Sequence, residues 1–276
     1  MRIKIFDCFV FNNEKDLLKI RLNILNKFVD YFIIIEAGET HSGIKKKFNF
    51  NINHYLSFKK KIIYKKIKAF PKNLNAWGRE NFQRNYISSL LHKANNEDFV
   101  LISDLDEIPN LKNINFYNIK KKIIVFRQRL FFYKLNYCEQ KSSWLGTKAC
   151  KKKFLKSPQW LRNLKTQKKY SFFRIDKLFF SKNYESSFYE VLNGGWHFSW
   201  IGTKTFIKNK IMSSAHTELN NSKFCNYNYI NNCIKNLKPL NNIQKIKIIK
   251  IKKDSKKLPS FLIENYKKFK FFFDLN

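Results

Sequence analysis

Phe99-Val100-Leu101-Ile102-Ser103-Asp104-Leu105-Asp106-Glu107-Ile108-Pro109 runs from an unbroken apolar stretch into three carboxylates and stops at a proline. The apolar part predicts a buried strand of an α/β sheet ending near Ser103. Such a strand delivers Asp104, Asp106 and Glu107 to the carboxyl edge of the sheet, where open α/β sheets bind their ligands. Carboxylates at alternate positions can turn toward one hard cation, and that cation can bridge the phosphates of a nucleotide. An acidic turn after a strand is also common as a solvated feature, with Asp104 capping a short 3₁₀ segment. The surrounding sequence therefore decides between the two.

Upstream of this stretch, strand and helix patterns alternate. Ile3 to Val10 reads as a first strand. Asn12 or Asn13 can cap a helix with Leu18, Leu22, Leu25 and Val29 on one apolar face. Tyr31 to Ile35 reads as a second buried strand, Ile62 to Ile67 as a third, and Trp77 to Leu91 as a helix. This rhythm predicts an α/β fold with a mostly parallel central sheet flanked by helices. Downstream, Ile123 to Phe126, Leu130 to Tyr133, Phe172 to Ile175 and Leu178 to Phe180 read as strands, and Thr203 to Met212 as a helix. Residues 245–253 alternate Lys with Ile and 260–273 read as a helix, so 245–276 form a basic strand-and-helix tail on a single domain spanning 1–276.

The chain has 276 residues, 55 Lys and Arg against 20 Asp and Glu, and 44% hydrophobic residues. That apolar content supports a sizeable core and excludes global disorder. The net charge of +35 suits an anionic partner: nucleic acid, a membrane surface or a phosphorylated substrate. Codon bias toward Lys, Asn, Ile and Phe explains the same charge without a partner. Cys8, Cys138, Cys150, Cys225 and Cys233 form no C-x-x-C pair, which argues against a zinc site or disulfide framework and for reduced thiols. No signal peptide or membrane span is read, so the expectation is a cytoplasmic protein, with peripheral association to an anionic inner membrane face.

Two further stretches carry candidate groups. In Trp77 to Asn85, helical spacing brings Glu80, Gln83 and Arg84 near one face, with Arg79 one turn from Gln83, and arginines suit bidentate phosphate contact. A surface face with internal ion pairs is the alternative. In Gly194-Gly195-Trp196-His197-Phe198-Ser199-Trp200, glycines permit close backbone approach and His197 can serve as ligand or acid/base. His216, Glu218 and Glu190 are further candidates, and Trp144 and Trp196 can stack on sugar rings. No nucleophile elbow, P-loop, G-x-G-x-x-G or H-E-x-x-H motif occurs, which removes motif support for hydrolase, kinase and dehydrogenase chemistry.

Taken in order, these segments resemble glycosyltransferase family 17, whose animal members add a bisecting N-acetylglucosamine to the core mannose of N-glycans. The matching pieces are Phe6-Asp7-Cys8-Phe9, Leu17 to Arg21, Val29 to Phe32, Glu36 with Thr40 to Gly43, and Arg79-Glu80 with Gln83-Arg84-Asn85. Ser103 to Pro109, Trp144 to Thr147, Gly194 to Ser199, His216 with Glu218, and Leu258-Pro259 complete the set. The resemblance implies a GT-A-like fold, inversion at the anomeric carbon, and a UDP-sugar donor, UDP-N-acetylglucosamine first. It implies a divalent cation, Mn²⁺ or Mg²⁺, on Asp104 and Asp106 with His197 or His216 as a late ligand. Asp7, Glu36, Arg79, Gln83, Arg84, Asp104, Trp144, Gly195 and Trp196 would bind the donor. Glu190, Glu218 and Glu107 are the candidate general bases.

The membrane anchor of the luminal animal enzymes is not seen here, so the expected acceptor is a glycan or lipid-linked glycan met in the cytoplasm. The rival expectation is a basic nucleic-acid-binding protein without catalytic activity, stacking bases on Phe131, Phe132 and Tyr133 between lysines. On the transferase reading no nucleic-acid partner is expected.

Overall fold

β-branched and aromatic runs produce the central strands, and their alternation decides which side of the sheet each residue covers. In β1 (Ile5–Phe11), β2 (Tyr31–Ala37) and β4 (Phe99–Ile102), Phe9, Phe11, Ile34 and Leu101 face one side. Cys8, Ile33, Ile35, Val100 and Ile102 face the other. The helix α1 (Lys15–Leu25) buries Leu18, Leu22 and Leu25 against the first side. The second side is covered by α2 (Ala76–Asn85) and a 3₁₀ segment, Tyr86–Lys93, through Ile87 and Leu91. These assignments come from a computed structural model, which describes residues 2–141, 144–165, 187–241 and 246–275.

β3 (Ile62–Ile67), β2, β1 and β4 are parallel, joined in the register Phe32↔Ile62, Phe6↔Tyr31 and Phe6↔Val100. The expectation of a mostly parallel sheet fails beyond β4. There β8 (Trp144–Lys151) runs antiparallel to both β4 and the long β6 (Ile123–Phe132). The reason is connectivity: β6, β7 (Tyr137–Glu139) and β8 follow one another without a crossover helix, and strands joined that closely pair antiparallel. β6 then pairs in parallel with β9 (Phe188–Val191) and β10 (Gly195–Ser199), and β10 brings in the short antiparallel β5 (Glu107–Pro109). The sheet is mixed, with helices on both faces.

Other expectations shift in detail. The residue before α1 is Glu14, whose carboxylate accepts from the Asn12 and Asn13 backbone N–H groups instead of either asparagine capping the helix. The helix from Trp77 stops being α-helical at Asn85. The alternating Lys/Ile tail contributes only β11 (Ile248–Lys250), antiparallel to β7. Phe131, Phe132 and Tyr133 are buried, so they offer no stacking face for bases. The strands expected at Phe172 to Ile175 and Leu178 to Phe180 lie outside the described residues. No helix among the described residues is long and apolar enough to cross a membrane.

Candidate active site

Asp7, in the middle of β1, faces α1 and meets Arg21, an ion pair in which neither side chain is exposed. Arg21 donates from Nε and Nη2 to the two Asp7 carboxylate oxygens at 2.8 and 2.6 Å. Its Nη1 donates to the carbonyls of Asp104, Leu105 and Glu107 at 2.9, 3.0 and 2.9 Å, and Nη2 reaches Ser103 Oγ at 2.6 Å. One buried guanidinium thus pins the loop after β4 by its carbonyls. Asp104 and Asp106 are left facing a cleft of about 530 Å³ above the strand ends.

Each carboxylate of that loop has its own cations. Asp104 Oδ1 accepts from Arg84 Nη2 at 2.8 Å and Oδ2 from Arg162 Nη2 at 2.7 Å. Burial alone would raise the Asp104 carboxyl, but the Arg162 and Arg84 guanidiniums hold it well below the usual carboxylate range. Asp106 Oδ2 accepts from Lys210 Nζ at 2.8 Å, and Oδ1 faces His197 Nε2 at 3.6 Å. Burial opposes ionisation there too, and Lys210 and then His197 reverse it. Glu107 is fully buried, with Oε1 accepting from Trp144 Nε1 at 2.6 Å and from Arg162 Nη2 at 2.8 Å. Its carboxylate holds Arg162 and the Trp144 ring in place, and it lies outside the cleft lining.

Arg162 and Lys210 were not singled out in the sequence. Arg162 lies in a basic stretch without period, on the short helix α3 (Pro158–Asn163). The signal was Ser157-Pro158: the Ser157 hydroxyl accepts from Trp160 N at 3.1 Å and the proline occupies the first turn. Lys210 comes from α4 (Lys204–Ser213), whose first turn is capped by the Thr203 hydroxyl, but its approach to Asp106 depends on how that helix docks.

The remaining candidates divide by place. Gln83, Arg84, Asp104, Asp106, Trp144, His197 and His216 line the cleft, together with Glu14, Glu39, His41 and Glu80. Gln83 bridges the Ile35 carbonyl and His41 Nε2, at 3.0 and 2.7 Å. Burial pushes His41 below the usual histidine range, with Glu80 opposing the shift. Arg79 donates to the His41 carbonyl at 3.0 Å and supports that loop from outside the cleft lining.

Glu36 is buried below the cleft, accepting from Lys46 Nζ at 2.7 Å, Asn49 N at 2.6 Å, Phe50 N at 3.1 Å and the Tyr64 hydroxyl at 2.8 Å. Glu36 lies outside the cleft lining, as does Asp7. Trp196 donates to the Lys257 carbonyl at 2.8 Å and packs on the core. Gly195 adopts φ +131, and a Cβ there would lie 2.1 Å from the Ile108 carbonyl, so glycine is what lets β10 close on β5. Glu190 is tied to Arg127 outside the cleft lining. Glu218 is exposed and its carboxylate accepts from His216 Nδ1 at 2.7 Å, while the His216 ring stands edge-on to Trp77 at 4.7 Å.

Among the described residues, no three His, Cys, Asp or Glu side chains gather as a metal cage. Asp104 does not fit a cation, because both its oxygens carry guanidinium N–H groups. Asp106 and His197 do fit one: an oxygen and a nitrogen on the cleft wall, 3.6 Å apart, too far for a hydrogen bond, with His197 Nδ1 buried and unpartnered. His216 is engaged by Glu218 and Trp77.

No curated protein matches the sequence. The model of glycosyltransferase family 17 matches residues 1–275, essentially the whole chain. With the carboxylate loop, the arginines around it and the ligand-sized cleft in one place, the chain belongs to glycosyltransferase family 17.

Proposed function

We propose that this glycosyltransferase moves N-acetylglucosamine from UDP-N-acetylglucosamine to a hydroxyl of a glycan or lipid-linked glycan, with inversion, on a GT-A-like fold. The observation that carries the reading is the Asp104 carboxylate held between Arg84 and Arg162 on the cleft wall. That ion pair network sets two guanidiniums, with fork geometry for phosphate, where open α/β sheets bind nucleotides. Their role is to hold the donor diphosphate and stabilise the charge that grows on it as the bond from C1 to the phosphate oxygen breaks.

Asp106 and His197 would hold the divalent cation, which would supply further charge neutralisation on the diphosphate. For the acceptor, Glu218 acts through His216 at the cleft rim. Glu218 orients the imidazole, and His216 takes the proton from the acceptor hydroxyl as its oxygen bonds to C1 and the electron pair leaves with UDP. The five free thiols support a reducing, cytoplasmic setting.

Thermal unfolding with UDP and Mn²⁺ tests the reading. Melting should rise with both ligands together, and the rise should vanish in Asp106→Asn. Donor hydrolysis and transfer to a hydroxyl acceptor should then be measurable in the same preparation. Indifference to UDP, UDP-sugars and Mn²⁺ alike would overturn it.

A further inference from the structure

A second opening, of about 400 Å³, lies beside the cleft and has the more apolar lining of the two. Leu17 and Ile20 of α1, Ile201 and Phe206 before and in α4, and Phe271 and Phe272 of the C-terminal 3₁₀ segment Tyr266–Phe272 line it. Its acidic lining groups, Glu14 and Asp16, sit at the start of α1. Phe271 is 64% exposed, and Leu275 just beyond it 54%, an arrangement that solvent alone does not favour. Lys267, Lys268 and Lys270 are exposed in the same turn, and Lys15 is exposed at the groove itself. Lys134 Nζ lies 5.5 Å from the Phe271 ring and donates to the Phe271 carbonyl at 3.1 Å, so the aromatic is held outward by a cation.

An exposed phenylalanine in a lysine-rich turn, on a chain of net charge +35, matches the two layers of an anionic bilayer: charged headgroups outside, hydrocarbon beneath. We infer that the C-terminal turn docks the protein on an anionic membrane surface, with Phe271 entering the headgroup boundary and a lipid chain occupying the groove. Glu14 lines both the groove and the cleft, and its carboxylate is 3.5 Å from Lys210 Nζ. The docked face therefore adjoins the cleft mouth. For the acceptor this rests on the transferase reading and favours the lipid-linked class; the docking itself stands without it.

Co-sedimentation of the full chain with phosphatidylcholine vesicles, with and without phosphatidylglycerol, tests docking in the absence of any donor. Binding should need the anionic lipid and weaken with salt. Phe271→Ser should reduce it about ten-fold, the loss of one inserted aromatic. Lys267→Glu, Lys268→Glu and Lys270→Glu should each reduce it by about five-fold or more. Lys59→Glu with Lys60→Glu, beside the far edge strand β3, should leave binding near the parent level. Failure to sediment with anionic vesicles overturns the inference. So does a Phe271→Ser protein that binds like the parent, or a dimer in solution that Phe271→Ser dissociates, which would assign the groove to a second copy. Unchanged near-ultraviolet circular dichroism shows that each variant is folded. A transferase test that fails while docking succeeds separates the two readings.

Discussion

Arg21 and Asp7 form a two-pronged ion pair between α1 and β1, with bonds of 2.8 and 2.6 Å and neither side chain exposed. The pair sits beneath the cleft and supports it, because the same guanidinium holds the carbonyls of Asp104, Leu105 and Glu107. Breaking a buried pair by neutralising one partner leaves the other charge uncompensated.

Asp7→Asn should therefore destabilise the fold by about 3–5 kcal/mol in urea denaturation. The carboxylate loop should loosen with it, seen as earlier amide exchange at Leu105 and Glu107. A protein of parental stability that had lost only donor affinity would mark Asp7 as a ligand instead of a support.

Glu36 makes a parallel case. With four donors converging on a fully buried carboxylate, Glu36→Ala should cost about 3 kcal/mol of stability. Glu36 lies outside the cleft lining and reaches it through Lys46, so donor affinity of the folded fraction should change by no more than about five-fold. Isothermal titration with UDP distinguishes that outcome from a direct contact.

Arg162 reaches Asp104, Glu107 and the Gly146 carbonyl, the last at 3.3 Å. Lysine cannot reproduce a planar fork with that many directed N–H groups. Arg162→Lys should weaken UDP binding by about 2 kcal/mol, roughly thirty-fold, while circular dichroism reports a folded chain. Parental affinity would remove Arg162 from the donor site.

Asp104 gives a pH test. Its carboxyl is held below the unfolded value, so its contribution is fully present above about pH 4 and is lost as pH falls through that value toward the folded one. With its side chain 35% exposed, the contribution is put at about 1 kcal/mol after allowing for screening by water. The stability gap between the parent and Asp104→Asn should be constant from pH 5 to pH 7, about one unit or more above the unfolded value, and narrow progressively as pH falls below about 4 toward the folded value. A gap that widens in acid would contradict the ion pair.

Glu218 and His216 are both more than half exposed, so substitution there spares the fold. Glu218→Gln and His216→Asn should each lower kcat by about 10²-fold with melting unchanged. Equal turnover in both variants would move the base to another cleft carboxylate, with Glu80 and Glu14 next in line.

The strands that place the cleft could be read in advance, because local pattern dictates them. Phe99 to Ile102 is apolar on both faces and must be buried, and Ser103 to Glu107 must follow it at the sheet edge. The order of motifs gave the family for the same reason, since it is a property of the chain. What alternation cannot encode is which strands become neighbours. The antiparallel insertion of β8 between β4 and β6 is set by tertiary pairing and has no counterpart in the alternation of either strand. Nor does a carboxylate's residue type reveal its partner. Asp7, Glu36 and Glu107 look like Asp104 and Asp106 in sequence, yet each is buried by tertiary contacts that supply its own donors. Arg162 and Lys210 reach the loop from 58 and 104 residues away, so only the docking of α3 and α4 could bring them to Asp104 and Asp106.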